Sequence, residues 1–383
     1  MEERLKKGLL VFMLIILLLP YLQHRFNVID SGVLYGYFSD APDVDFSFTK
    51  YFDGSYQAGI SDFYNDHIGF RPDFLRLNAQ IDYSLFQKLD YGGTTLGNDH
   101  YLFYDNYIDA YYGRDFVGYN LLYERMLKVK ALQDTLARSG KTLILVYAPC
   151  KAWFYAEYIP AIMKYPKGEQ NNYKTFARIG DSLGIDQIDF NKWFLSKKDT
   201  VKELLYSRLG IHWTNYGAIL AGDSLIKFIE RKRNIRMLHP VWTRSVRTTE
   251  ARMPDNDMVT ILNLIFPVAK DTFCYPELQF NGDTAGTTKP KMIFIGDSYV
   301  INLLGMNIVQ HAAADWQFWF SFKNILNDTN WCTSSTYPQI VNYDWKKEIG
   351  KSDCIIIMNT AKNASLMGSG FIEQAYDYYF PHK

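Results

Sequence analysis

Net charge is missing from this chain. Its 41 Lys and Arg stand against 41 Asp and Glu, so no overall field draws it to nucleic acid or to anionic lipid. Paired cysteines are missing as well. None of the four, Cys150, Cys274, Cys332 and Cys354, belongs to a Cys-x-x-Cys motif, which leaves zinc or thioredoxin-type chemistry without support. Neither a metal nor a cofactor is therefore expected. Cys354 lies in an apolar run and reads as a buried thiol; sequence does not fix any disulfide pairing. Repeats and low-complexity tracts are also lacking. A small-x-small cleavage site is absent after the first apolar segment, where Pro20-Tyr-Leu-Gln-His-Arg25 is bulky. Residues 8–23 carry no charge, and Arg4, Lys6 and Lys7 precede them. The run is somewhat short for a span, which takes ~20 residues. A basic flank without a cleavage site predicts an uncleaved signal anchor over 1–25, its basic end cytoplasmic and the bulk of the chain periplasmic or otherwise extracytoplasmic.

What is present is a large apolar and aromatic inventory. At 383 residues and 48% hydrophobic, the chain can bury a full core. The 29 Tyr, 26 Phe and 8 Trp serve mostly as packing, although flat rings with polar tips also suit sugar faces. Residues 26–59 show no sustained period and read as a linker, with one domain over 60–383. Leu96 to Tyr104 predicts a hairpin turning at Gly97-Asn98-Asp99. Leu122, Met126, Val129, Leu132 and Leu136 recur at helical spacing. Thr142 to Ala148 reads as a buried strand, 171–183 as a helix and Gln187 to Asp189 as a short strand. Thr214 can cap a helix running from Ala218 to Arg231. Residues 235–290 lose the rhythm and form an excursion. Strands then follow at Lys291-Met-Ile-Phe-Ile-Gly296 and Cys354-Ile-Ile-Ile-Met358. This alternation predicts a three-layer α/β/α sandwich on a mostly parallel sheet.

In such sheets ligands bind outside the carboxyl ends of the strands. The strand from Lys291 delivers Gly296-Asp297-Ser298 to that edge, and a serine there becomes a nucleophile if a base reaches it. Turn chemistry alone explains Gly-Asp-Ser equally well. His212, in Ile-His-Trp-Thr-Asn-Tyr-Gly217, lies in another strand-end loop and is the candidate base. The remaining histidines read as packing or surface residues.

These segments resemble the AlgX/AlgJ-like family of SGNH-hydrolase-type sugar O-acetyltransferases. The similarity runs through Asp66-His-Ile-Gly-Phe-Arg71, Gly97 to Tyr104, Pro149-Cys-Lys151 with Tyr155, Tyr158 and Pro160, Tyr206 to Ala218, and Gly296-Asp-Ser298. The resemblance implies a circularly permuted motif order, with the histidine loop before the serine strand. It puts the nucleophile at Ser298 and the base at His212. It also implies a polysaccharide acceptor and a membrane-bound O-acyltransferase that supplies acetyl groups. No coenzyme A site is visible, which fits a covalent donor relay. Asn359, ending a strand, is the candidate oxyanion donor beside the Ser298 N–H. Lys151 and Arg71 match the family and are equally explained by structural pairing.

One family residue is absent. Where the family has Asp-x-His-Trp, this chain has Gly210-Ile-His-Trp213. Asp189, and less favourably Glu203, are the candidates for the acid that orients the imidazole. If neither serves, a backbone carbonyl orients His212 or the chain is a non-catalytic glycan-binding or scaffolding relative; an esterase using the same Ser/His site is the other alternative. A poorly oriented His212 implies that Gly210→Asp raises activity at least tenfold, with glycine at 210 kept for φ > 0 as the competing explanation.

Overall fold

The computed structural model describes residues 2–36, 40–89, 91–280, 285–326 and 337–381. Cys332 lies outside them. The chain forms two compact units, 1–92 with 258–268 and 93–257 with 269–383.

The larger unit is built on a six-stranded sheet. Its strands lie in the order Gln187–Asp189, Thr142–Ala148, Cys354–Thr360, Lys291–Gly296, Asp315–Phe320 and Asn324–Leu326. All neighbours pair in parallel except the last two, which are antiparallel. The central strands are uniformly apolar because helices cover both faces, so no face needs polar residues. Leu143 to Ala148 and Cys354 to Met358 are all buried. The helix Tyr119–Arg138 buries Leu122, Met126, Val129, Leu132 and Leu136, the stripe that its spacing predicts. It packs with Asn172–Ser182 and Phe371–Tyr379, while Asn215–Arg233 packs with Tyr299–Gly305 and Ile308–Ala312. This is the expected α/β/α sandwich on a mostly parallel sheet. The hairpin pairs Thr94–Leu96 with Leu102–Tyr104. Within the excursion, Ser245–Thr248 pairs antiparallel with Phe273–Pro276. Cys150, Cys274 and Cys354 are free and buried.

Parallel strands end together, so Ala148, Asp189, Gly296 and Thr360 share one edge. The chain can turn there after Gly296 only because position 296 has no side chain. A Cβ would stand 1.7 Å from Met358 O on the neighbouring strand. Asp297 then locks the turn. Its Oδ2 accepts from Thr360 N and Oγ1, both at 2.7 Å, and from Asn363 Nδ2 at 3.1 Å.

The smaller unit contains Ser55–His67, Arg71–Phe86 and a 25-residue helix, Glu2–Phe26, which is long and apolar enough to cross a membrane. His24 Nδ1 lies 2.6 Å from His67 O, and Arg71 pairs with Asp66 at 2.6 Å. Arg71 thus has the structural role that pairing alone explains.

Candidate active site

Ser298 stands at the start of the helix Tyr299–Gly305, directly after the strand from Lys291. Its Oγ lies 2.6 Å from His212 Nε2. His212 comes from the loop 207–212 that the Tyr206–Trp213 bridge closes, just before the helix capped by Thr214, whose hydroxyl accepts from Gly217 N at 3.0 Å. The two residues that sequence singled out are therefore brought together, 86 positions apart in the chain.

The acid comes from neither expected place. His212 Nδ1 bonds Asp257 Oδ2, and Asp257 Oδ1 accepts the Ile211 N–H at 2.8 Å. Imidazole and carboxylate are mostly buried, at 15% and 14% exposed. Burial matters here, because the contact is then little screened by water. Asp257 ends the piece 253–257 of the excursion, which two neighbours hold in place. Asp255 Oδ1 accepts from Asn215 N at 2.8 Å, and Ser207 Oγ bonds Asp255 O. Burial pushes the Asp255 carboxyl up to about 6.

Asp189 and Glu203 make other bonds. Asp189 caps the helix Phe190–Lys197 through Lys192 N at 2.8 Å and accepts from the Tyr173 hydroxyl at 2.7 Å. Its lone pairs belong to that helix start. Glu203 pairs with Arg247. Asn359 also bonds elsewhere. Its amide oxygen accepts from Gly368 N at 2.9 Å, and it does not line the cavity that His212, Asp257 and Ser298 share. The Ser298 N–H, by contrast, has no acceptor among the described residues.

Gly210 is explained by space and not by φ, which is not positive there. A Cβ would lie 2.9 Å from Asp255 O, 3.0 Å from Pro254 O and 3.0 Å from Asp257 Oδ1. The side chain is absent because the segment carrying the acid occupies its place. The expected gain from Gly210→Asp is thus reversed: crowding shifts that segment, and a second carboxylate repels Asp257. We expect Gly210→Asp to lower both Tm and activity, with Gly210→Ala costing ~1–3 kcal/mol of stability. Thermal melts and initial rates of the two purified variants check this; a faster Gly210→Asp enzyme contradicts it.

Further bonds hold the histidine loop. Lys151 is fully buried, and its Nζ donates to Arg208 O at 2.8 Å and Gly210 O at 2.6 Å. Burial lowers its ammonium to about 7. Arg208 N and Nε donate to Asp271 at 2.8 and 2.7 Å. The Tyr299 hydroxyl, one residue past the serine, donates to Ile211 O at 2.8 Å. The serine helix thus grips the loop carrying its own partner.

Residues 94–341 match the model of the SGNH hydrolase-like domain of acetyltransferase AlgX. The chain belongs to this family. It is 26% identical over 158 residues to a probable alginate O-acetylase AlgJ of Pseudomonas putida, a match covering 40% of this chain and 38% of that protein. The matched region thus spans well under half the length of that relative. Among solved structures, the O-acetyltransferase domain of Pseudomonas putida AlgJ gives a TM-score of 0.49 at 16% identity, covering 75% of this chain and 99% of that one. AlgX of Pseudomonas aeruginosa gives 0.44 at 16% identity, covering 73% and 67%. In this family member the histidine loop precedes the serine strand, the permuted order expected from sequence. Sequence missed Asp257 because it lies 45 residues beyond His212 in a stretch without period. The available signal was the acid pair of Pro254-Asp-Asn-Asp257, compact and directly after a proline.

Proposed function

We propose that this chain is an extracytoplasmic O-acetyltransferase acting on a polysaccharide. The reading is carried by the unbroken line Asp257–His212–Ser298 in a chain of this family. In the first half-reaction His212 Nε2 takes the Ser298 proton as Oγ attacks the acetyl carbonyl. The imidazolium then returns that proton to the leaving group, and the acetyl group remains on Ser298 as an ester. In the second half a sugar hydroxyl gives its proton to His212 and attacks the same carbon, releasing Ser298 Oγ, which recovers the proton. Asp257 keeps Nδ1 protonated and stabilises the imidazolium in both halves.

The likeness to a probable alginate O-acetylase, AlgJ, and to acetyltransferase AlgX favours a polysaccharide acceptor. A membrane-bound O-acyltransferase is the proposed acetyl supplier. The scaffold alternative was motivated by Gly210, and Asp257 removes that motive. An esterase would differ only in using water for the second attack, a choice set by how the site excludes water. Incubation with an acetyl-ester donor should leave an acetyl adduct on the Ser298 peptide by mass spectrometry. No adduct with any of several donors sinks the proposal.

The helix Glu2–Phe26, with Arg4, Lys6 and Lys7 at its start, is proposed as a single-pass anchor with that end in the cytoplasm. A reporter fused after Lys383 is expected to be active only outside the cytoplasm. Cytoplasmic activity contradicts both the localisation and the substrate class.

A further inference from the structure

The cavity at Ser298 holds about 260 Å³, more than the ~150 Å³ in which a benzene ring is known to fit. Its wall is mostly apolar, with Met253, Pro254, Ile301 and Met306. Two asparagines interrupt it. Asn302 is 4% exposed and its Nδ2 has no hydrogen-bond partner among the described residues; Asn215 is 2% exposed and its Oδ1 has none among them. A buried amide end without a partner costs stability, and such groups are rare unless a ligand or water completes them.

Asn302 lies four residues after Ser298 on a helical stretch. Residues so spaced are neighbours on one helix face, about 5–6 Å apart at Cβ. Ser298 Oγ is tied to His212 on one side, so an acyl group bonded to Oγ must extend into the cavity. Its carbonyl oxygen then needs donors. Of the two lining asparagines, Asn215 has an acceptor atom left over and Asn302 a donor, and only a donor can meet a carbonyl oxygen. We infer that Asn302 Nδ2 donates to the carbonyl oxygen of the acyl group at Ser298, joining the Ser298 N–H as the second oxyanion donor. This rests on the acyl-transfer reading above and assigns Asn302 the role that sequence gave to Asn359. As Oγ attacks, the C=O π pair moves onto oxygen, and the amide N–H meets charge that exists only in the transition state. The apolar wall strengthens that bond by keeping water away.

The test uses the full chain with Asn302→Leu and Asn302→Asp, and p-nitrophenyl acetate as donor. Nitrophenol release reports acylation, and intact mass reports the Ser298 ester. Both variants should acylate about 10²-fold more slowly, through kcat with KM little changed. Asn302→Leu should also melt about 2 °C or more above wild type, because an apolar side chain of similar size replaces an unpartnered amide. A structural role for the amide predicts the opposite shift. Wild-type acylation with unchanged rates in both variants overturns the inference, and so does a lower Tm for Asn302→Leu. If wild type itself forms no ester on Ser298, the acyl-transfer reading fails separately. The melting shift then decides whether the amide faces a ligand space: a rise upholds this, and a fall rejects it.

Discussion

Ser298→Ala is expected to abolish both acetyl transfer and the adduct while leaving Tm close to wild type. The alanine loses one hydroxyl whose bond is to His212, at a half-buried position at the head of a short helix. The Asp297 contacts that lock the turn are untouched. No other hydroxyl bonds the imidazole among the hydrogen bonds of the described residues, so none can take over as nucleophile. Mass spectrometry and initial rates on the pure variant check this. Retained activity in a preparation free of wild type would remove Ser298 from the mechanism.

Asp257→Asn is the second large effect, and it separates orientation from packing. The asparagine keeps the shape of the side chain and an oxygen for the Ile211 N–H. Its amide, however, donates to His212 Nδ1 where the carboxylate accepted. The ring is then forced to carry its proton on Nε2, facing Ser298, and cannot accept the serine proton. In serine proteases the equivalent change costs about 10⁴-fold, and we expect a loss of that order here, with Tm moved by much less. Asp189→Asn provides the contrast. It weakens a helix cap, which costs ~1 kcal/mol, and should leave the rate nearly unchanged. Should Asp189→Asn slow the enzyme as much as Asp257→Asn, the orienting role of Asp257 is wrong.

The parts of this protein legible in its sequence are those that short-range physics determines. The stripe from Leu122 to Leu136, the apolar runs at Thr142 and Cys354, and the cap at Thr214 each declare themselves within one helix or strand. Ser298 and His212 were legible because strand-end loops are where a parallel sheet exposes side chains. Asp257 was not, since it lies in a segment with no period, and its one local mark, the acid pair directly after Pro254, says nothing of which residue it meets. Asn359 misled for a related reason. A polar residue ending a buried strand signals a position at the edge, not the direction of its side chain, and here it turns to Gly368. Asn302 was hidden inside Tyr299-Val-Ile-Asn-Leu-Leu304, where helical spacing reads as core.

The crowding at Gly210 bears on how such enzymes change over time. Around the far nitrogen of His212 there is room for a single carboxylate, reached either from two residues upstream in the same loop or from the distant segment ending at Asp257. Selection for a working imidazole therefore acts on a volume and is indifferent to the stretch of chain that fills it. The acid can stand in one loop or the other while histidine and serine keep their places, and the second arrangement leaves no room for a side chain at 210. On the acyl-transfer reading, loss of the upstream acid is by itself no sign of an inactive member.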